Sequence, residues 1–381
     1  MTRTTAKRAE IAPFYVMEVM RAAELRAAAG EEVLHLEVGQ PSTPAPRRVI
    51  EAAHRALDED VLGYSTAAGI EPLRRRVAAH YDDWYGVSVD PDAVMFTVGA
   101  SGAFVAAFMA AFDPGDRVVV PTPGYPCYRN ALELLGCEVV SFSTSADTRF
   151  QPTVEQLSAL GPIDGLVLSS PSNPTGTMLD AAQMSAIAEW CRANDVWFVS
   201  DEIYHGITFG EAAPTALQFD ADAIVVNSFS KYFSMTGWRL GWLIAPSALR
   251  TALTRIGQDA TIAAPTLSQL GAVAAFDCHD ECEANVARYA RNRAVLLEGL
   301  PAAGLDRLAP ADGAFYIWAQ TDHLADDSQE LCARWLDELG IAATPGIDFD
   351  PAEGHRFVRF SFAGSETDVA EAAARLRDWT P

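Results

Sequence analysis

Residues 224–242 read IVVNSFSKYFSMTGWRLGW, and the rest of the chain is organised around this stretch. Ile224, Val225 and Val226 form a short apolar run of the kind that makes a buried strand. The run turns polar at Asn227 and Ser228. Lys231 follows, then Arg239, then a second apolar run from Leu240 to Ala245. A lysine just past a strand is usually a solvated surface residue. Here the chain holds 28 basic residues, and only Lys7 and Lys231 among them are lysines. With arginine used everywhere else, charge alone does not account for Lys231. A lysine can lose its proton and attack a carbonyl to form a Schiff base, which arginine cannot.

The pattern extends outward. Strand-like runs are expected at 93–98, 117–120, 139–142, 165–168, 196–199, 223–226 and 240–244, with helix-like stretches such as 181–194 between them. This alternation predicts an α/β fold, with a mostly parallel seven-stranded sheet covered by helices on both faces. Ligands of such sheets bind beyond the carboxyl ends of the strands. Four polar motifs fall there: GASG after the first run, SSPSNPTG after the fourth, DEIY after the fifth and NSFSK after the sixth. A helix is also expected at 16–29, ended by Gly30, and an arginine-rich one at 285–299. The pieces GAFYIWA and HRFVRFSFA then read as strands of a smaller α+β domain. The expected division is 1–47 joining the small domain, 48–284 as the large domain and 285–381 as the small C-terminal domain.

Composition narrows the function. A length of 381 residues with 49% hydrophobic and 21% charged residues is that of an ordinary globular protein of two domains. A net charge of −23 argues against nucleic acid or an anionic membrane as partner. The N-terminus lacks the apolar stretch and cleavage site of a signal peptide, and the most apolar run, 103–112, is too short to span a bilayer. Six scattered cysteines fit a reducing compartment, with the cytoplasm as the default.

Each motif has a plainer reading. Gly99-Ala100-Ser101-Gly102 is either a tight turn or an anion site at a helix N-terminus. Asp201 either caps a helix or faces a ring nitrogen, with Tyr204 donating to a neighbouring oxygen. Asn173 either forms a turn or bonds a ligand oxygen. Ser228-Phe229-Ser230-Lys231 also fits the S-x-x-K of acylating serine enzymes, but neither lysine begins the required K-T-G. Cys278 and Cys282 have no second cluster to complete a zinc site, which leaves a helix face.

Taken together, VGQP, YSTAAGIEPLRRRV, TVGASGAF, PTPGYPCY, SNPTG, DEIY, SFSKYFSMTGWRLGW, GAFY and VRFSFAG resemble, in order, the class I/II aminotransferases. These are pyridoxal 5'-phosphate (PLP) enzymes of fold type I, in the aspartate aminotransferase superfamily. The resemblance implies that Lys231 carries PLP and shuttles the proton. It implies Asp201 at the pyridine nitrogen, Tyr204 and Asn173 at the ring hydroxyl, and Tyr125 stacked on the ring. Ala100, Ser101, Ser228, Ser230 and Arg239 resemble the phosphate cup, and Arg359 the clamp on the substrate carboxylate. Gly39 lies in the segment that closes over the substrate. Tyr64 resembles a tyrosine that reaches the other subunit's phosphate, which implies a homodimer. The expected activity is ping-pong transfer of an amino group between an L-amino acid and a 2-oxo acid. Two alternatives are a β-lyase on the same scaffold and a cofactor-free binding protein. Some dicarboxylate-specific relatives carry an arginine in the stretch that is 258–266 here, and others a lysine where this chain has Ser101. Neither charge is present, so neutral or aromatic donors are expected over aspartate, with Phe14, Tyr15 and Tyr125 as an apolar wall.

Overall fold

A computed structural model describes residues 5–380. Positions 1–4 of the expected N-terminal segment, and Pro381 of the C-terminal one, lie outside the described residues. The strands are β1 (Leu34–His35), β2 (Val94–Val98), β3 (Arg117–Val119), β4 (Glu138–Val140), β5 (Gly165–Ser169), β6 (Trp197–Asp201), β7 (Ile224–Ser228), β8 (Leu240–Ile244), β9 (Tyr316–Gln320), β10 (Ile341–Ala342), β11 (Thr344–Pro345) and β12 (Phe357–Ser361).

Seven of them form the main sheet, in the order β2-β8-β7-β6-β5-β3-β4. Only β8 runs antiparallel to its neighbours, β2 and β7. The other pairings are parallel. The start of β8 therefore lies at the edge where the other six strands end, and this brings Arg239 to the same rim as Lys231. Side chains alternate across the sheet as the pleat requires. Val225 packs into one core with Phe198 and Trp242. Ile224, Val226 and Val199 face the other core, where the helix Gly99–Ala111 lies. That helix is apolar on nearly every side, and its Ala103, Ala106 and Ala107 let it approach the sheet closely. The helix Ala181–Ala193 begins at a capping box between Asp180 and Gln183.

The second sheet is β11-β12-β9, antiparallel throughout. β1 pairs with β10, Leu34 opposite Ile341, so the N-terminal segment lies beside the C-terminal one. The first long helix, Tyr15–Ala28, starts and stops within one residue of expectation. The arginine-rich helix is longer than expected, His279–Ala302, because Asp280 and Glu281 suit its first turn and Cys282 is buried on its inner face. It runs unbroken through the expected division at 284/285. Among the described residues, no helix is long and apolar enough to cross a membrane.

Candidate active site

The carboxyl edge of the main sheet opens into a cavity of about 520 Å³. Gly39, Ala100, Ser101, Tyr125, Asn173, Asp201, Tyr204, Ser230, Lys231, Arg239 and Arg359 all reach its wall. Ser228 and Tyr64 do not. The Ser228 oxygen is 2.7 Å from the Ser230 oxygen and accepts the Ser230 N–H at 3.0 Å, so it orients Ser230 from behind. Tyr64 is 84% exposed on the outside of the chain.

Lys231 follows β7, and its amine donates to the Gly39 carbonyl at 2.7 Å. Burial, with the charges of Arg359 and Arg239, pushes its pKa down to about 8, while Asp201 pulls the other way. No hydrogen bond joins it to Ser228, which removes support from the acylating-serine reading. Gly39 is required on steric grounds, since a Cβ there would overlap the Tyr316 hydroxyl.

Asp201 ends β6 and is 3% exposed. Its Oδ2 accepts from the Tyr128 hydroxyl, and its Oδ1 accepts the Ile203 N–H at 3.0 Å. Burial raises its pKa to about 6 against the pull of those two donors and of Lys231. The Tyr204 hydroxyl lies 2.7 Å from that of Tyr316. Tyr125 stands edge-on to Phe14 and to Tyr128.

Arg359 sits mid-strand in β12. Its Nη1 donates to Asn173 Oδ1 at 2.9 Å, and its Nη2 donates to the Glu37 carbonyl and to Thr344 Oγ1. The guanidinium lies between the rings of Tyr316 and Phe349, 4.5 Å and 4.7 Å from their centres. Its Nε is buried without a partner. Arg239 has the left-handed backbone, φ 52°, and donates to the Thr236 carbonyl at 3.0 Å. It packs against Gly99, whose φ of +70° and lack of a Cβ make room for the guanidinium at the start of the helix Gly99–Ala111.

Tyr128, Tyr316 and Thr344 were not singled out from sequence. Tyr128 follows Tyr125 by three residues at the start of the helix Pro126–Leu135, a same-face spacing that could have drawn attention to it. Tyr316 ends the quoted GAFY. Thr344 lies in a two-residue strand with no motif around it. Cys278 and Cys282 are both buried, and no metal-binding cluster is present among the described residues.

The ionic groups of the wall test whether PLP suits the site. They are one carboxylate, Asp201, and three cations, Lys231, Arg239 and Arg359. The hydrogen bonds of Arg239 and Arg359 go to neutral oxygens. Cations so placed want anions. A phosphate at Arg239 and the helix start, a carboxylate at Arg359 and a ring cation at Asp201 would balance them, so the donor set fits.

The comparisons agree. The family model "Aminotransferase class I and II" matches residues 31–376. The valine–pyruvate aminotransferase of Mycobacterium tuberculosis is 49% identical over 386 residues, covering 100% of both chains. The aspartate/prephenate aminotransferase of Thermus thermophilus is 35% identical over 93% of each. A crystal structure of an aminotransferase from Mycobacterium tuberculosis superposes with a TM-score of 0.97, at 49% identity and 99% coverage of both chains. These relatives are named for transamination, so the β-lyase alternative is not favoured. The chain belongs to the class I and II aminotransferases of fold type I, and it is a PLP-dependent enzyme that moves an amino group between an amino acid and a 2-oxo acid.

Proposed function

We propose that the donor is a neutral L-amino acid with an apolar side chain, and that the enzyme works as a cytoplasmic homodimer. One observation carries the substrate reading. Once Arg239 takes the phosphate and Arg359 the α-carboxylate, no charged side chain in the wall is left for a second carboxylate. Leaving a distal carboxylate unpaired there is costly. Phe14, Val16, Met17 and Met20 supply apolar surface instead. The relative named for valine and pyruvate supports this reading.

When bound, PLP supplies an electrophilic carbonyl and an electron-accepting ring. Arg239, Ser101 and Ser230 would hold its phosphate at the start of the helix Gly99–Ala111, where the free N–H groups and dipole favour an anion. Asp201, kept ionised by Tyr128 and the Ile203 N–H, would pair with its ring nitrogen. Tyr204 and Asn173 would meet the ring oxygen, and Tyr125 would pack against the ring. Lys231 would attach the cofactor, and with a pKa lowered to about 8 its Nζ can both take and return a proton near neutral pH. The planar fork of Arg359 orients the substrate through its carboxylate. The turnover is ping-pong.

In the dimer, Tyr64 completes the phosphate site of the other subunit; its 84% exposure leaves it free to do so. Residues 48–284 form the cofactor-binding unit, and 5–47 with 285–380 form the second. Six free cysteines support a reducing compartment. The test is kcat/KM for valine, leucine, phenylalanine, alanine and aspartate with 2-oxoglutarate or pyruvate as acceptor. Preference for the apolar donors is expected, and a clear preference for aspartate would overturn the substrate reading.

A further inference from the structure

The helix Tyr15–Ala28 has two working faces. Val16, Met17 and Met20 line the active-site cavity, with Phe14 just ahead of them. Tyr15, Val19, Ala22 and Arg26 lie over the helix Ser328–Leu339. The spacing of the two sets is that of opposite sides of one helix.

A carboxylate from far along the chain holds the first turn. Asp348 Oδ1 accepts the Tyr15 N–H at 3.2 Å, and Oδ2 accepts the Val16 N–H at 3.1 Å. Phe14, at the N-cap, has no side chain to do this, so Asp348 caps the helix in its place. Asp348 is only 1% exposed. The same short loop dresses the substrate clamp. Thr344 Oγ1 lies 3.2 Å from Arg359 Nη2, and the Phe349 ring lies under the guanidinium. The segment from 344 to 349 thus fixes the fork that meets the α-carboxylate and pins the helix that faces the side chain.

We propose that Asp348 is a positioning residue for donor selectivity: it clamps the helix so that Phe14, Met17 and Met20 meet the donor side chain. This rests on the apolar-donor reading above. Met17 is 53% exposed, and a leucine-sized side chain would cover more of it than a methyl group does. Methionines adapt to apolar groups of several shapes, so the position of their helix sets how well they do it.

The test measures kcat/KM for leucine and for alanine with the holoenzyme of wild type, Asp348→Asn and Asp348→Ala. Loss of a helix cap leads us to expect the leucine-to-alanine ratio to fall about tenfold in Asp348→Ala, and less in Asp348→Asn. The fall should come through KM for leucine, with PLP affinity retained. Asp348→Asn keeps the packing and one acceptor oxygen, and it decides alone if the alanine variant does not fold. An unchanged ratio, or a loss shared equally by both donors, overturns the proposal. If wild type itself prefers aspartate to leucine, the donor reading fails instead, which separates the two failures.

Discussion

Replacing Tyr128 by phenylalanine should move the acid limit of PLP binding. Tyr128 is buried between Phe104 and Tyr125, and its hydroxyl donates to Asp201 Oδ2. Phenylalanine keeps the ring packing and removes only that donor. Asp201 then retains one hydrogen bond, from the Ile203 N–H. A hydrogen bond to a charged acceptor contributes about 1.5–3 kcal/mol, and one pKa unit corresponds to about 1.4 kcal/mol. Losing it lifts the Asp201 pKa by about one to two units. Burial already holds that pKa at about 6. In the proposed site the carboxylate is the form that would serve the ring nitrogen, so affinity should be present above this pKa and lost as pH falls through it. A raised pKa therefore shifts the loss to higher pH. The assay is titration of the apoenzyme with PLP across the pH range, wild type beside Tyr128→Phe. The expected result is an acid limb displaced upward by about one to two pH units, with affinities converging at high pH. Coincident limbs would show that the Tyr128 hydroxyl does not govern the charge of Asp201, and would refute the reasoning.

Lys231→Ala should fold with its thermal midpoint little changed, yet lose nearly all turnover and release its colour on desalting; wild-type rates would rule out Lys231 as the cofactor lysine. Arg359→Lys swaps a fork for a point charge and should lower kcat/KM about 10- to 150-fold with PLP retained, as steady-state kinetics against the donor would show. Glu202 is wholly buried, and burial raises its pKa from the ordinary 4.5 to about 8. The folded state thus binds that proton more tightly than the unfolded chain, and its contribution to stability falls as pH rises from 4.5 through about 8. Glu202→Gln can keep the acceptor for Thr215 and the Ala216 N–H and should flatten that slope in a series of thermal melts.

The main sheet was legible because each of its strands is a short apolar run bounded by polar loops, and every run expected from sequence pairs into it. The reversed direction of β8 was not legible. Periodicity carries no strand direction, and only the short turn through Thr236–Trp238 hints that β7 and β8 lie side by side. The arginine-rich helix starts before the expected 285, at His279, and takes in Cys282, whose helix face was read from sequence separately from it. In the site, residues at motif positions with a role in the resembled family were found, and supporting residues were not, although Tyr128 and Tyr316 each end a quoted motif. Tyr128 was passed over because a buried tyrosine beside other aromatic rings looks like ordinary core. Its bond to Asp201 exists only once the helix Pro126–Leu135 docks beside β6, across a separation of 73 residues.

The two sheets divide the chemistry in a way that explains this difference. The carboxyl edge of the main sheet carries Ser101, Asp201, Lys231 and Arg239, each at a strand end or within three residues of one, so local sequence fixes their placement. Arg359 comes from the middle of β12, and its guanidinium is shaped by Glu37, Asn173, Thr344, Tyr316 and Phe349, which are drawn from four separate segments. Arg359 itself is found within VRFSFAG, but the partners that hold its guanidinium are distant in sequence and cannot be read from its neighbours. The same arrangement separates two kinds of change. Under the proposed assignment, substitution in the segment 344–349 or in the helix Tyr15–Ala28 would alter what surrounds the substrate and leave the strand-end groups assigned to the cofactor in place. Donor preference can therefore change while the cofactor site stays the same, as relatives with one cofactor and names that specify valine, aspartate or prephenate suggest.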